Sequence, residues 1–161
     1  MGPQDCSEAA DTFFAITDAT DVNGEGSLYA WGCNENGQCA DGTQDDVTTP
    51  QRVGALTGIV SVVYTGITEG AVYAIDDTGE MFVWGDNTAN RLGIATPGPI
   101  LAPTASGLTS VAMVAATTHT ITTPRGFAIA VMVDGTIRVT GLNDSGQLGT
   151  GDTTDVTAWT A

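Results

Sequence analysis

The chain has 161 residues, enough for one domain with its own core. Its 19 Asp and Glu stand against 4 Arg and no Lys, which gives a formal net charge of −15. Binding to nucleic acid or to anionic lipid needs clustered cations, so this balance excludes a nucleic-acid-binding protein and argues against a membrane-surface protein. The composition also resembles that of proteins from extreme halophiles, in which molar salt shortens the Debye length to about 3 Å and removes most self-repulsion. An acidic mesophilic protein is the alternative.

The N-terminal stretch MGPQDCSEAADTFF has no basic region and no long apolar region, and no apolar run in the chain approaches 18 residues. We therefore expect no signal peptide and no transmembrane helix. Residues 1–11 are predicted to be an N-terminal extension and 12–161 a single repeat domain. Cys6, Cys33 and Cys39 lack metal-binding spacing. We interpret Cys39 as a buried thiol, and a disulfide among the three cysteines remains open.

Three units with the same order of parts follow one another along the chain. Each has an alternating apolar segment, a turn that contains glycine, and a second short strand that ends in glycine, which is the pattern of a β-hairpin. The alternating segments are 13–17, 72–76 and 127–134, and the second strands are 27–32, 80–85 and 136–141. Further β-rich runs lie at 59–66 and 110–117. No stretch has a capped helical period, so the sequence predicts an all-β chain.

A loop with a repeated residue pattern follows each second strand. Glycine ends the strand because the chain turns sharply there, and an Asn two residues later is predicted to close an Asx-type turn. Gly or Asn then marks a left-handed position, and the long side chain after it is predicted to reach a neighbouring unit. The repeat-defining residues are Trp31, Gly32, Asn34, Gly37 and Gln38, then Trp84, Gly85, Asn87 and Asn90, then Gly141, Asn143, Gly146, Gln147 and Leu148. Arg91 is the long side chain that aligns with Gln38 and Gln147.

A strand ending in WG, then xN, then xxGQLGxG, resembles the repeat of the regulator of chromosome condensation family. LYAWGCNENGQCADGT at 28–43 and GLNDSGQLGTGD at 141–152 are close to this pattern, and the resemblance runs from about residue 12 to the C-terminus. It implies β-propeller blades, each a four-stranded sheet. About three blades would make an incomplete disc with two uncovered faces. We expect completion by homo-oligomerisation or by docking on another protein; a closed three-bladed form and a different glycine-rich β-repeat fold are the alternatives.

Residues suited to catalysis or metal binding are sparse. His119 is the only histidine, so a Ser-His-Asp or Cys-His arrangement would depend on it, and we interpret it as an exposed or core-edge residue. The loop 18–27 fails the EF-hand pattern, because alanines stand where Asp and Glu ligands belong. We expect no enzyme activity and no cofactor. The weak candidates for another kind of cation site are Asp18, Asp21 and Glu25.

The expected function is that of a non-enzymatic structural or interaction protein, a propeller-like module that assembles on a larger particle. The halophile-like composition favours a virion surface component, such as a capsid decoration or turret protein of a haloarchaeal tailed virus. The expected location is then the virion or the extracellular surface, and otherwise the cytoplasm. A soluble glycan- or protein-binding regulatory β-propeller module is the alternative. The expected partners are copies of the chain or a larger protein assembly, with no nucleic acid and no membrane insertion.

Overall fold

A computed structural model describes residues 11–18, 26–66, 70–119 and 125–161. The regular structure in these residues is eleven β-strands and one short 3-10 turn at Thr88–Asn90. The prediction of an all-β chain is therefore confirmed. No helix long and apolar enough to span a membrane occurs in this part of the chain.

The strands form three antiparallel sheets in chain order, which we name blades 1, 2 and 3. Blade 1 consists of β1 (Thr12–Ile16), β2 (Leu28–Gly32) and β3 (Val47–Arg52). Blade 2 consists of β4 (Ile59–Tyr64), β5 (Ala71–Asp76), β6 (Met81–Gly85) and β7 (Ile100–Ala105). Blade 3 consists of β8 (Val111–His119), β9 (Arg125–Met132), β10 (Ile137–Gly141) and β11 (Val156–Thr160). Blade 1 thus has three strands among the described residues, where the other blades have four.

Backbone hydrogen bonds give the residue equivalence between the blades. Asp11 and Gly70 directly precede β1 and β5, and Gly126 is the second residue of β9; the three occupy equivalent positions. The carbonyl of each accepts a hydrogen bond from the N–H after the strand-ending glycine, donated by Cys33, Asp86 and Leu142 respectively. This equivalence carries through both hairpin strands, because the strands pair in matching register.

Each blade has a leading face, toward the blade before it, and a trailing face, toward the blade after it. Successive side chains of a strand point to opposite faces, so in β5 Val72 and Ala74 belong to the leading face and Tyr73 and Ile75 to the trailing face. All four are buried, the first pair in a core shared with blade 1 and the second pair in a core shared with blade 3. The hydrophobic core therefore lies between the blades.

Among the described residues, nothing covers the leading face of blade 1 or the trailing face of blade 3 in this way. Phe13, on the leading face of blade 1, is 51% exposed and stacks on Trp31. Ile137, on the trailing face of blade 3, is 52% exposed. The blades form an open, incomplete propeller, as expected, and not a closed three-bladed form.

Candidate interaction site at the blade faces

A buried asparagine organises each loop that follows a strand-ending glycine. The Oδ1 atom of Asn87 accepts a hydrogen bond of 3.0 Å from the N–H of Leu92, and its Nδ2 atom donates to the carbonyls of Ile94 at 2.9 Å and Thr96 at 2.7 Å. The sequence predicts an Asx-type turn closing two residues further on. The side chain spans the whole loop instead, because one amide can satisfy several loop N–H and C=O groups at once.

The other two asparagines make equivalent bonds. Asn34 accepts from the N–H of Cys39 at 2.8 Å, and Asn143 accepts from the N–H of Leu148 at 2.9 Å. All three asparagines are buried. The positions predicted to be left-handed have positive φ angles, which are 75° at Gly37, 55° at Asn90 and 72° at Gly146. In blades 1 and 2 the loop presents a backbone carbonyl and a long side chain toward the next blade.

A hydrogen-bond donor from the following blade meets a carbonyl of this loop at both junctions, that of Gln38 at the first and that of Asn90, one repeat position earlier, at the second. The indole N–H of Trp84 donates to the carbonyl of Gln38 at 2.7 Å, from blade 2 to blade 1. Thr140 is the residue equivalent to Trp84 in blade 3, and its single O–H has two acceptors in reach, the carbonyl of Asn90 across the junction at 3.0 Å and that of Val156 in its own blade at 3.2 Å. Both donors are fully buried. The change from Trp to Thr therefore keeps a hydrogen-bond donor across the junction.

The long side chains of the loops lie against a glycine of the next blade. Gln38 and Arg91 are both fully buried. A Cβ atom at Gly70 would overlap Cγ of Gln38 and lie 3.0 Å from its Cδ, and one at Gly126 would lie 3.1 Å from Cζ of Arg91. Gln147, the third of these residues, contacts its own loop, where its Oε1 accepts a hydrogen bond of 2.9 Å from the N–H of Ser145.

Arg91 also forms a buried ion pair at the junction between blades 2 and 3. Its guanidinium lies 3.2 Å from Oδ2 of Asp86, and its Nε donates to the carbonyl of Thr88 at 3.0 Å. Asp86 is 6% exposed. A charged pair at this depth holds because each ion has the other as its partner.

Trp159 is a junction residue that sequence reasoning missed. Its indole N–H donates to the carbonyl of Leu92 at 3.1 Å, and its ring packs edge-on against Tyr73. The ring also occupies the space beside Gly93, where a Cβ atom would lie 2.7 Å from Cε2 of the indole. The available signal was its position in the repeat. Trp159 stands where β3 has Pro50 and β7 has Pro103, in an outer strand next to the preceding blade.

The cysteines differ in state. Cys33 is disulfide-bonded, whereas Cys39 is a free thiol that is 2% exposed. Burial, followed by the charges of Asp41 and Asp46, raises the pKa of Cys39 to about 12. A thiol with so high a pKa is a poor nucleophile at neutral pH. Cys6 lies outside the described residues.

The residues considered for metal binding or catalysis do not form such a site among the described residues. Asp18 is exposed, while Asp21 and Glu25 lie outside the described residues. His119 ends β8, and its side chain is outside the described part. Within the residues that the structure describes, no group of three His, Cys, Asp or Glu side chains is placed to hold a metal ion. The repeated features of this structure are therefore junction features.

Comparison with known proteins identifies the repeat. The model of the regulator of chromosome condensation (RCC1) repeat matches residues 25–66. This unit is an RCC1-type repeat. Among curated proteins similar in sequence, "Ras guanine nucleotide exchange factor C" of Dictyostelium discoideum is 40% identical over 78 residues, which are 47% of this chain and 5% of the relative. "Protein RCC2" of Mus musculus is 32% identical over 83 residues, which are 48% of this chain and 16% of the relative. The "Ultraviolet-B receptor UVR8" of Arabidopsis thaliana is 29% identical over 80% of this chain and 28% of its own length.

Solved structures share the fold. Human WBSCR16 matches with a TM-score of 0.68 at 19% identity, over 92% of this chain and 35% of that one. Prp20p of Saccharomyces cerevisiae matches with a TM-score of 0.69 at 21% identity, over 93% of this chain and 36% of that one. The RCC1-like chain thus spans about a third of these structures, and 28% or less of the three curated relatives named above.

Proposed function

We propose that the protein is a non-enzymatic interaction module whose uncovered blade faces are joined to other protein. The observation that carries the proposal is the composition of the trailing face of blade 3. Ile137 is 52% exposed, whereas Met81, its equivalent in blade 2, is fully buried under the next blade. Ile129 is half-buried, whereas its equivalent Tyr73 is fully buried. Exposed apolar patches of this kind mark protein interaction sites, because burying them is favourable by about 25 cal/mol per Å².

The solved RCC1-type structures support a protein as the partner. Prp20p has binding properties toward Gsp1p and histones, and yeast RCC1 has been solved with Kap60 bound to it. These partners belong to those proteins. The net charge of −15 also favours a protein partner over nucleic acid.

Substitutions on the trailing face of blade 3 test the proposal. Ile137→Glu places a charge on that face, and the matched variant Val133→Glu places the same charge on the β9–β10 turn, where Val133 is 72% exposed. Tagged chains are purified from the source cells in the salt of their cytoplasm. We expect the co-purifying protein to be lost with Ile137→Glu and retained with Val133→Glu. Retention with both variants would show that the trailing face is not the interaction site.

As the setting of this module we propose the surface of a larger particle, and specifically the virion of a haloarchaeal tailed virus, where it would act as a decoration or turret protein. The support is compositional: the chain has 19 acidic residues and no Lys, which suits molar salt. Mass spectrometry of purified particles and of host cytosol is the test. Its presence in particles is expected, and its restriction to the cytosol of uninfected cells would overturn this setting.

A soluble glycan-binding or regulatory module is the second candidate, and the leading face of blade 1 favours it. Phe13 and Trp31 stack there with ring centroids 5.8 Å apart and an interplanar angle of 17°. A flat, exposed aromatic pair is a surface on which the apolar face of a sugar ring packs. A glycan array in molar salt, with Phe13→Ala as control, tests this candidate, and the absence of any bound glycan would remove it.

A further inference from the structure

We propose that Asp11 prevents the chain from stacking end to end on copies of itself, and that the trailing face of blade 3 accepts instead a blade of the same repeat type with glycine at the position of Asp11. The inference rests on the proposed function, because it names the partner of that same face. It starts from what the two internal junctions share.

At both internal junctions the leading face of the later blade has a glycine, and this glycine meets a long, fully buried side chain of the blade before it. Gly70 meets Gln38, and Gly126 meets Arg91. Neither glycine has a φ in the left-handed region, so the backbone there is open to any residue. Glycine is needed at these positions for space. At Gly70 a Cβ atom would overlap Gln38 of the neighbouring blade and also approach Cε2 of Tyr64 in its own blade, whereas at Gly126 it would first meet the carbonyl oxygen of Thr117 in its own blade and then Arg91 at 3.1 Å.

Blade 1 has Asp11 at this position. The carbonyl of Asp11 accepts the hydrogen bond from Cys33 that identifies the position. The hydroxyl of Thr12, the next residue, lies 3.3 Å from the hydroxyl of Tyr64 in blade 2 and so belongs to the trailing face. Asp11 therefore points the other way, onto the leading face that it shares with Phe13. Its side chain is exposed there.

The rest of the two end faces would fit one another. Trp31 stands at the position of Trp84, so blade 1 has the indole N–H that crosses a junction. Gln147 in blade 3 stands at the position of Gln38 and follows the left-handed Gly146. In a copy-on-copy junction of the same geometry, Asp11 would meet Gln147. One residue therefore opposes an otherwise matched pair of faces.

Two physical effects oppose that junction. The Cβ atom of Asp11 would occupy space that the Gln side chain fills at the first junction, as the overlap at Gly70 shows. The carboxylate would also be buried without a cation, which costs several kcal/mol. A blade with glycine here and a Trp or Thr donor at the end of its second hairpin strand meets neither penalty. The partner blade is predicted to have both features.

The test uses the full chain and two probe variants of it. The probe Asp11→Gly/Ile129→Glu has an unhindered leading face and a blocked trailing face, so it can add to the wild-type chain once only. The matched probe Asp11→Ala/Ile129→Glu loses the same charge but retains a Cβ atom. Each probe is mixed with the wild-type chain in about 2 M salt, where charge repulsion is screened. Sedimentation velocity then measures the mass of the species formed.

We expect the glycine probe to form a complex of two chains, each of 16.4 kDa. The alanine probe should bind at least about tenfold more weakly, and the wild-type chain alone should stay monomeric. Equal binding of the two probes, binding of neither, or self-association of the wild-type chain would each overturn the inference. These outcomes are independent of the co-purification test, in which Asp11 is unchanged, so failure of the proposed function can be told apart.

Discussion

The indole N–H of Trp84 donates a hydrogen bond of 2.7 Å to the carbonyl of Gln38 and so ties blade 2 to blade 1. Both residues are fully buried. The tryptophan of the repeat is therefore a junction donor as well as a core side chain. Thr140 keeps the donor in blade 3 while giving up the aromatic ring.

Removal of this donor is expected to destabilise the fold. Trp84→Phe keeps an aromatic ring but leaves the buried carbonyl of Gln38 without its partner, at a cost of about 1–3 kcal/mol. Trp31→Phe is the matched control, because Trp31 is half-buried on the uncovered leading face. Urea unfolding in about 2 M salt measures both free energies of unfolding. Equal losses for the two variants would show that the junction bond does not stabilise the protein.

Alanine substitutions at Gly85 and Gly98 distinguish the cost of backbone strain from the cost of close packing. Their φ angles are nearly the same, at 88° and 84°. A Cβ atom at Gly85 would overlap the carbonyl oxygen of Gly70, whereas one at Gly98 would meet nothing within 4 Å. Both alanine variants carry the left-handed strain, and Gly85→Ala should cost about 1–3 kcal/mol more because of the overlap. Thermal unfolding of the two variants compares them; similar midpoints would contradict the packing account.

Arg91 and Asp86 are expected to behave as a coupled pair. Arg91→Gln leaves Asp86 buried and uncompensated, which should cost about 3–5 kcal/mol. Blade 3 has Gln147 and Leu142 at the same two positions, so adding Asp86→Leu should recover most of the loss. A double-mutant cycle on the free energy of unfolding measures the coupling. Additive effects of the two changes would show that the ion pair is not the reason for the cost.

Alkaline pH should weaken the fold through Cys39. Burial raises the pKa of this thiol from 9.0 to about 12, so the folded chain keeps a proton that the unfolded chain loses. The contribution of Cys39 to stability is complete below pH 9 and is lost as the pH rises toward about 12. Cys39→Ala should therefore lose less stability than the wild-type chain over this range, as measured by urea unfolding at each pH. The same slope in both proteins would contradict the assignment.

The reactivity of the same thiol provides a second measurement. Cys39 should resist alkylation in the native protein at pH 8 and react quickly in urea, because only the unfolded chain exposes it and allows its thiolate to form. Peptide mapping distinguishes it from Cys33, which is disulfide-bonded. Rapid alkylation of the native protein would show that the loop around Asn34 opens.

Local patterns in the sequence determined the strands and the loops. The alternation of apolar residues and the repeated glycines predicted β5, β6, β9 and β10 closely, because strand period and turn chemistry depend on residues near in sequence. The long side chains at Gln38 and Arg91 were predicted to reach the neighbouring unit, and both lie against the next blade. The role of Gln147 stayed a prediction, since its contacts are within its own loop.

Only the tertiary structure decided which residues meet across a junction. The bond from Trp84 to Gln38 joins residues 46 positions apart, and the one from Trp159 to Leu92 joins residues 67 apart. No local pattern encodes these distances, because they depend on how one sheet stacks on the next. The sequence by itself therefore determined that the chain makes RCC1-type blades. The stacking of the blades decided that glycine is needed at Gly70 and Gly126. The proposed role of Asp11, which stands at the equivalent position, follows from that stacking and from no pattern in the sequence.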